Sequence, residues 1–73
     1  MNSMNKDLLK DAIKQSGITM TALAGKIGIT REGLYNKVEG KTEFTVSEIN
    51  SVCAALHLDS GSRDAIFFSK AVN

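Results

Sequence analysis

An all-α fold of five short helices is predicted by three features of this sequence. Apolar residues recur at three- and four-residue spacing along nearly the whole chain. Residues able to cap a helix precede each such stretch, and glycines or polar turns follow them. The sequence also lacks proline, so nothing breaks a helix by force of covalent geometry. At 73 residues the chain makes one domain, 1–73, close to the smallest size that supports an unaided core.

The first helix is set by Leu8, Leu9, Ala12 and Ile13, with Lys6, Lys10, Asp11, Lys14 and Gln15 between them. Asn5 suits its N-cap, Asp7 suits the positive end of its dipole, and Ser16-Gly17 ends it. Ile18 then turns into the core. The stretch Thr19 to Gly40, TMTALAGKIGITREGLYNKVEG, reads as two short helices joined by a tight turn at Gly28-Ile29-Thr30. Thr19 caps the first of the pair and Thr30 the second. Leu23, Ala24 and Ile27 form one inward stripe, Leu34 and Val38 the other, and Ile29 plugs the space between them. Gly28 falls where the chain leaves a helix with positive φ. Small Ala24 allows close approach. This spacing is that of a helix-turn-helix, about 19–40, whose second helix is held out to read a DNA groove.

Gly40 ends the third helix, and Glu39-Gly40-Lys41-Thr42-Glu43 is a polar connector. Thr45-Val46-Ser47-Glu48 is a capping box, and Phe44 and Ile49 occupy the positions of a hydrophobic staple. Val46, Ile49, Val52, Cys53 and Leu56 give the fourth helix a continuous apolar face. A turn through His57, Leu58, Asp59, Ser60 and Gly61 leads to a fifth helix, from about Ser62 to Val72, capped by Asp59, Ser60 or Ser62. Its centre, Ile66-Phe67-Phe68, holds three adjacent large hydrophobes that cannot all face one core in the ordinary way. Either at least one meets a partner, or all three tuck against the first and fourth helices.

Leu34 and Val38 fix the buried direction of the third helix, so Glu32, Gly33 and Asn36 point outward, flanked by Arg31, Tyr35 and Lys37. Asn36 suits adenine, Arg31 suits guanine, Glu32 accepts from the cytosine amino group, and Tyr35 reaches a thymine methyl or a phosphate. Thr30, Lys37 and Lys41 are the candidate phosphate contacts, beside the free amides that open the helix. Plainer roles stand next to these. Arg31 and Tyr35 also suit the edge of the core, Glu32 suits a solvated first turn, and Lys37 and Lys41 suit any surface. Lys10, Lys14 and Lys70 read as solvated faces, and His57 as a helix terminator.

The net charge of +1 tempers the DNA reading, because DNA-binding domains draw much of their affinity from phosphate neutralisation. Between Met20 and Glu43 the cations Lys26, Arg31, Lys37 and Lys41 outnumber Glu32, Glu39 and Glu43 by a single charge. A homodimer would have to supply the rest. Cys53 is the sole cysteine, so no intrachain disulfide forms and a packed thiol is expected. MNSMNKDLL lacks the apolar run of a signal peptide and no segment is long enough to span a membrane, so a cytoplasmic protein is expected. Ser16, Ser47, Ser51 and Ser69 have no base or acid positioned with them. No phosphate-binding glycine loop or metal spacing occurs either, so no enzyme, cofactor, metal or small-molecule substrate is expected.

From Ile18 to Leu58 the pattern resembles the lambda-repressor-like, Cro-type (XRE) helix-turn-helix bundle of five helices. Leu23-Ala24, Gly28-Ile29-Thr30, Leu34, Gly40 and the series Ile49, Val52 and Leu56 carry the likeness. The segments EFTVSEI and GSRDAIFF are similar to those of small Cro-type regulators of temperate phages and prophages of Gram-positive bacteria. The resemblance implies a transcriptional switch protein in the host cytosol. It would act either by binding operator DNA through the third helix, or as a modulator (antirepressor) that binds a partner phage repressor. For the second role the candidate interface is Glu32, Tyr35, Glu39, Glu43, Ile66, Phe67 and Phe68, where the acids complement a basic reading head. Two departures stand out. Met20 occupies a position where the family often has a phosphate-holding Gln, and Val38-Glu39-Gly40 replaces a Glu-Asn-Gly-like helix end.

Overall fold

The structure, a computed structural model, describes residues 4–68. Those residues form five helices: α1 (Lys6–Ser16), α2 (Met20–Ile27), α3 (Arg31–Val38), α4 (Val46–Leu56) and α5 (Ser60–Phe67). No strand occurs among the described residues.

Each helix begins the same way, with a side-chain oxygen taking an otherwise orphaned amide of the first turn. Asn5 accepts from Leu8, Thr19 from Ala22, Thr30 from Gly33, Thr45 from Glu48 and Asp59 from Ser62. A cap of this kind is worth roughly 1 kcal/mol, a substantial fraction of what so small a domain retains. At α4 the box is reciprocal, since Glu48 Oε1 accepts from the Thr45 amide at 2.9 Å. The Ser62 amide, donating to Asp59, holds that carboxyl below its usual range. Asp59 is therefore the cap among the three candidates, and α5 starts at Ser60 rather than Ser62. The stretch beyond Phe68, with Ser69, Lys70 and the expected helix end at Val72, lies outside the described residues.

Three of the helices, α1, α2 and α4, end in left-handed backbone, at Gly17, Gly28 and His57. Gly28 closes α2 at φ 80°, and the amide of Ile29 donates to the Ala24 carbonyl at 3.0 Å. His57 closes α4 at φ 56°, the one positive-φ residue other than glycine among those described. A Cβ in that region costs about 1 kcal/mol. His57→Gly is accordingly expected to raise stability by roughly 0.5 kcal/mol, the relieved strain outweighing the added freedom of the unfolded chain. Thermal unfolding followed by circular dichroism should show a gain of a few degrees. A lowered midpoint would mean that the imidazole makes a contact that matters more than the strain.

One core unites the bundle. Leu9 and Ile13 of α1, Leu23 and Ala24 of α2, and Leu34 and Val38 of α3 meet Ile49, Val52 and Leu56 of α4 and Ile66 and Phe67 of α5. Leu23, Leu34 and Val52 are completely buried. Ile18, Ile27, Ile29, Phe44, Cys53 and Leu58 are half-buried against this cluster. The ring of Phe44 meets Phe67 edge to face at 5.4 Å. Burial raises the Cys53 thiol above its ordinary pKa, which keeps it protonated. The two ends of the described chain are joined where the Asn5 amide donates to the Ile66 carbonyl at 2.6 Å.

Three expectations need correction. Ile66 and Phe67 are buried in this chain's own core, so they present nothing to a partner. Consecutive helical positions diverge by about 100°, and Phe68, at the cap of α5, is the one left exposed. The Arg63 guanidinium lies 5.9 Å from its ring centroid. Val46 does not share the apolar face of α4, because the first helical position projects past the core and leaves it 72% exposed. Leu8 is likewise exposed, turned away from the Leu9 and Ile13 side of α1.

Candidate nucleic-acid interface

The turn Gly28-Ile29-Thr30 fixes the start of α3 relative to α2. Gly28 reverses the chain, half-buried Ile29 packs on the core, and Thr30 adopts extended backbone at φ −75°, ψ 158°. The Thr30 hydroxyl accepts from the Gly33 amide at 2.9 Å. Cβ at position 33 would stand 3.0 Å from that hydroxyl oxygen, so glycine keeps the cap uncrowded. Leu34 and Val38 then nail the opposite side of α3 into the core.

The remaining face of α3 looks outward. Arg31, Glu32 and Tyr35 are exposed, while Gly33 and Asn36 are half-buried. Among the described residues the side chains of Arg31, Glu32, Tyr35 and Asn36 have no hydrogen-bond or ion-pair partner. Lys41 is exposed and unpaired just beyond α3, where its amide and that of Thr42 donate to the Asn36 carbonyl. Glu43 is exposed with a free carboxylate.

Two charged residues of this region turn inward, which their spacing did not announce. Lys37 Nζ pairs with Glu48 Oε1 at 3.0 Å and donates to the Glu43 carbonyl at 2.9 Å. It also lies 5.9 Å from the Phe44 ring centroid, and its side chain is only 16% exposed. The Thr45 amide, together with Lys37, holds the Glu48 carboxyl below its ordinary pKa. Glu39 accepts from Lys10 at 2.7 Å and meets Lys6 at 3.5 Å. The Lys10 ammonium lowers the Glu39 pKa, and Glu39 raises that of Lys10. Glu39 is therefore occupied within the chain rather than standing free for a basic partner. The only sequence signal for either contact was Glu48 at its capping-box position; the acceptors otherwise lie across a loop or on another helix.

Between α1 and α3 a shallow groove is lined by Ile13, Met20, Tyr35 and Val38, with Lys10 and Lys14 at its rim. Met20 thus adds apolar surface beside the outward face of α3. Among the described residues no group of His, Cys, Asp or Glu is arranged to hold a metal. No helix among them is long and apolar enough to cross a membrane.

A short helix anchored by two apolar residues, preceded by a glycine turn and offering an unpartnered polar face, defines a helix-turn-helix domain of the nucleic-acid-reading class. The family of Cro/C1-type HTH DNA-binding domains matches residues 8–61, and the chain belongs to it. Neither a curated protein nor a solved structure matches the chain. Membership makes DNA the expected partner and regulation of transcription the expected role.

Proposed function

We propose that this chain is an operator-binding regulator of the Cro type in a phage genetic switch, working as a homodimer in the bacterial cytoplasm. Each subunit lays α3 in a major groove, and the pair occludes a promoter. The observation that carries the reading is the outward face of α3, whose polar side chains have no use within the fold. Arg31 addresses guanine, Asn36 adenine, Glu32 a cytosine amino group and Tyr35 a thymine methyl or a phosphate. Gly33 lets the backbone come close. The Thr30 hydroxyl, which accepts from Gly33, keeps its own proton for a phosphate, and Lys41 adds a cation. The amides opening α3 add donors at the positive end of the helix.

A second reading is favoured by one observation: Glu32 of α3 and Glu43 of the connector that follows it are exposed and unpaired. Phosphate repels them, whereas the basic reading head of a partner repressor attracts them. In this reading Tyr35 and the exposed ring of Phe68 join them as the residues an antirepressor would use.

Gel shifts with a randomised duplex pool, and pull-downs with a Cro/C1-type repressor as candidate partner, separate the readings. Specific, steeply salt-dependent retention of duplex by the chain alone supports operator binding. Repressor capture with no shift by the chain alone supports the modulator. Glu32→Gln sharpens the choice. It is expected to leave DNA binding intact or strengthened, and a weakened repressor complex would favour the second reading.

A further inference from the structure

We propose that Lys37 is a positioning residue of the reading helix, setting how α3 is presented to DNA, while the phosphate contact at this end of α3 belongs to Lys41. The inference rests on the operator-binding reading above.

The reading helix α3 is short, spanning only Arg31–Val38. Its start is fixed by the Gly28 turn and the Thr30 cap, and its middle by Leu34. Its last turn runs straight into a connector without regular structure, residues 39–45. Besides the buried Val38, the polar tie from that turn to α4 runs through one carboxylate oxygen. Glu48 Oε1 accepts from the Thr45 amide at 2.9 Å, completing the α4 cap, and from Lys37 Nζ at 3.0 Å. The same ammonium donates to the Glu43 carbonyl at 2.9 Å, so it spans the connector from below. Both partners of the ion pair are mostly covered, at 16% and 17% exposure. On the opposite flank Glu39 grips Lys10 and Lys6 of α1.

Reaching for a phosphate would require Lys37 to give up Glu48 Oε1, the Glu43 carbonyl and the Phe44 ring, and would leave Glu48 without its cation. Lys41 faces no such conflict, being exposed and unpaired.

The test uses Lys37→Met, Lys37→Arg and Lys41→Met in the full chain. Amide exchange by NMR needs no DNA. Lys37→Met is expected to speed exchange at Glu39, Lys41 and Thr45 by about tenfold, with the amides of α2 unchanged, whereas Lys41→Met leaves all of them unchanged. Binding is then measured across salt, on the duplex enriched from a randomised pool and on an unselected duplex. Lys37→Met is expected to keep the slope of log affinity against log salt and to lose about tenfold in selectivity, comparable to one misread base pair. Lys37→Arg should restore that selectivity. Lys41→Met should keep selectivity and reduce the slope by about one. A slope reduced by about one in Lys37→Met, with selectivity and amide exchange unchanged, makes Lys37 a phosphate ligand and overturns the proposal. If the unaltered chain retains no duplex, the operator-binding reading fails. The amide exchange then still decides whether Lys37 holds α3 in place.

Discussion

Leu34→Ala is expected to leave much of this protein unfolded at 37 °C. Leu34 is completely buried and is the central anchor of α3. Truncating such a leucine costs about 3–5 kcal/mol, the lost transfer energy plus that of a cavity the neighbours only partly close. A chain of 73 residues has roughly 4–11 kcal/mol in total. The loss therefore removes about a quarter of the stability at the least and exceeds all of it at the worst. Urea unfolding followed by circular dichroism reads the effect directly as a lower midpoint at constant slope. Leu8→Ala provides the contrast. Leu8 is exposed, and its truncation is expected to stay within about 0.5 kcal/mol of the unaltered chain. A loss below about 1 kcal/mol in Leu34→Ala would mean that α3 is not seated on the core as described.

The combined change Arg31→Ala/Asn36→Ala is expected to remove most of the sequence preference while leaving the fold intact. Both side chains lack a hydrogen-bond or ion-pair partner within the described residues, so their removal breaks no such contact. A bidentate contact to a base contributes about 1–3 kcal/mol of discrimination. Two together amount to about 30-fold to about 10⁴-fold in affinity for the preferred duplex. On an unselected duplex the loss is expected to be only severalfold, since a single phosphate-attracting charge disappears. Fluorescence anisotropy at one fixed salt concentration on both duplexes separates these effects. Equal losses on the two would show that Arg31 and Asn36 attract DNA without reading it. An unchanged melting temperature is the necessary companion result.

Local chemistry was the legible part of this sequence. Asn5, Thr19, Thr30 and Thr45 could be placed as caps because a cap depends only on a short polar side chain and the amide three residues ahead. The face of α3 was legible in part: periodicity from Leu34 and Val38 gives its buried side and the exposure of Arg31, Glu32 and Tyr35, but not that Gly33 and Asn36 are half-buried or that Lys37 turns inward. Tertiary choices were not. Ile66, Phe67 and Phe68 are alike in hydrophobicity, and only the packing of α5 on α1 and Phe44 buries two and exposes the third. Lys37 and Lys41 are both lysines beside α3, yet one finds Glu48 across the connector and the other finds nothing. Val46 sits at the right period for α4 and still projects past the core, since periodicity does not say where a core stops. What the face of α3 contacts is illegible for a deeper reason, because the complementary half of that surface belongs to another molecule.

The unpartnered face of α3 has a consequence for how such a protein changes over time. Arg31, Glu32, Tyr35 and Asn36 carry no hydrogen bond or ion pair on which the bundle depends. The orientation of their helix is maintained by other residues: Thr30, Leu34, Lys37, Val38 and Glu39. Substitution at exposed positions without such contacts usually moves stability by no more than about 0.5 kcal/mol. The two sets of residues can therefore drift independently. A lineage could exchange one recognition surface for another within a few mutational steps, never passing through an unfolded ancestor, and one scaffold could serve many unrelated targets.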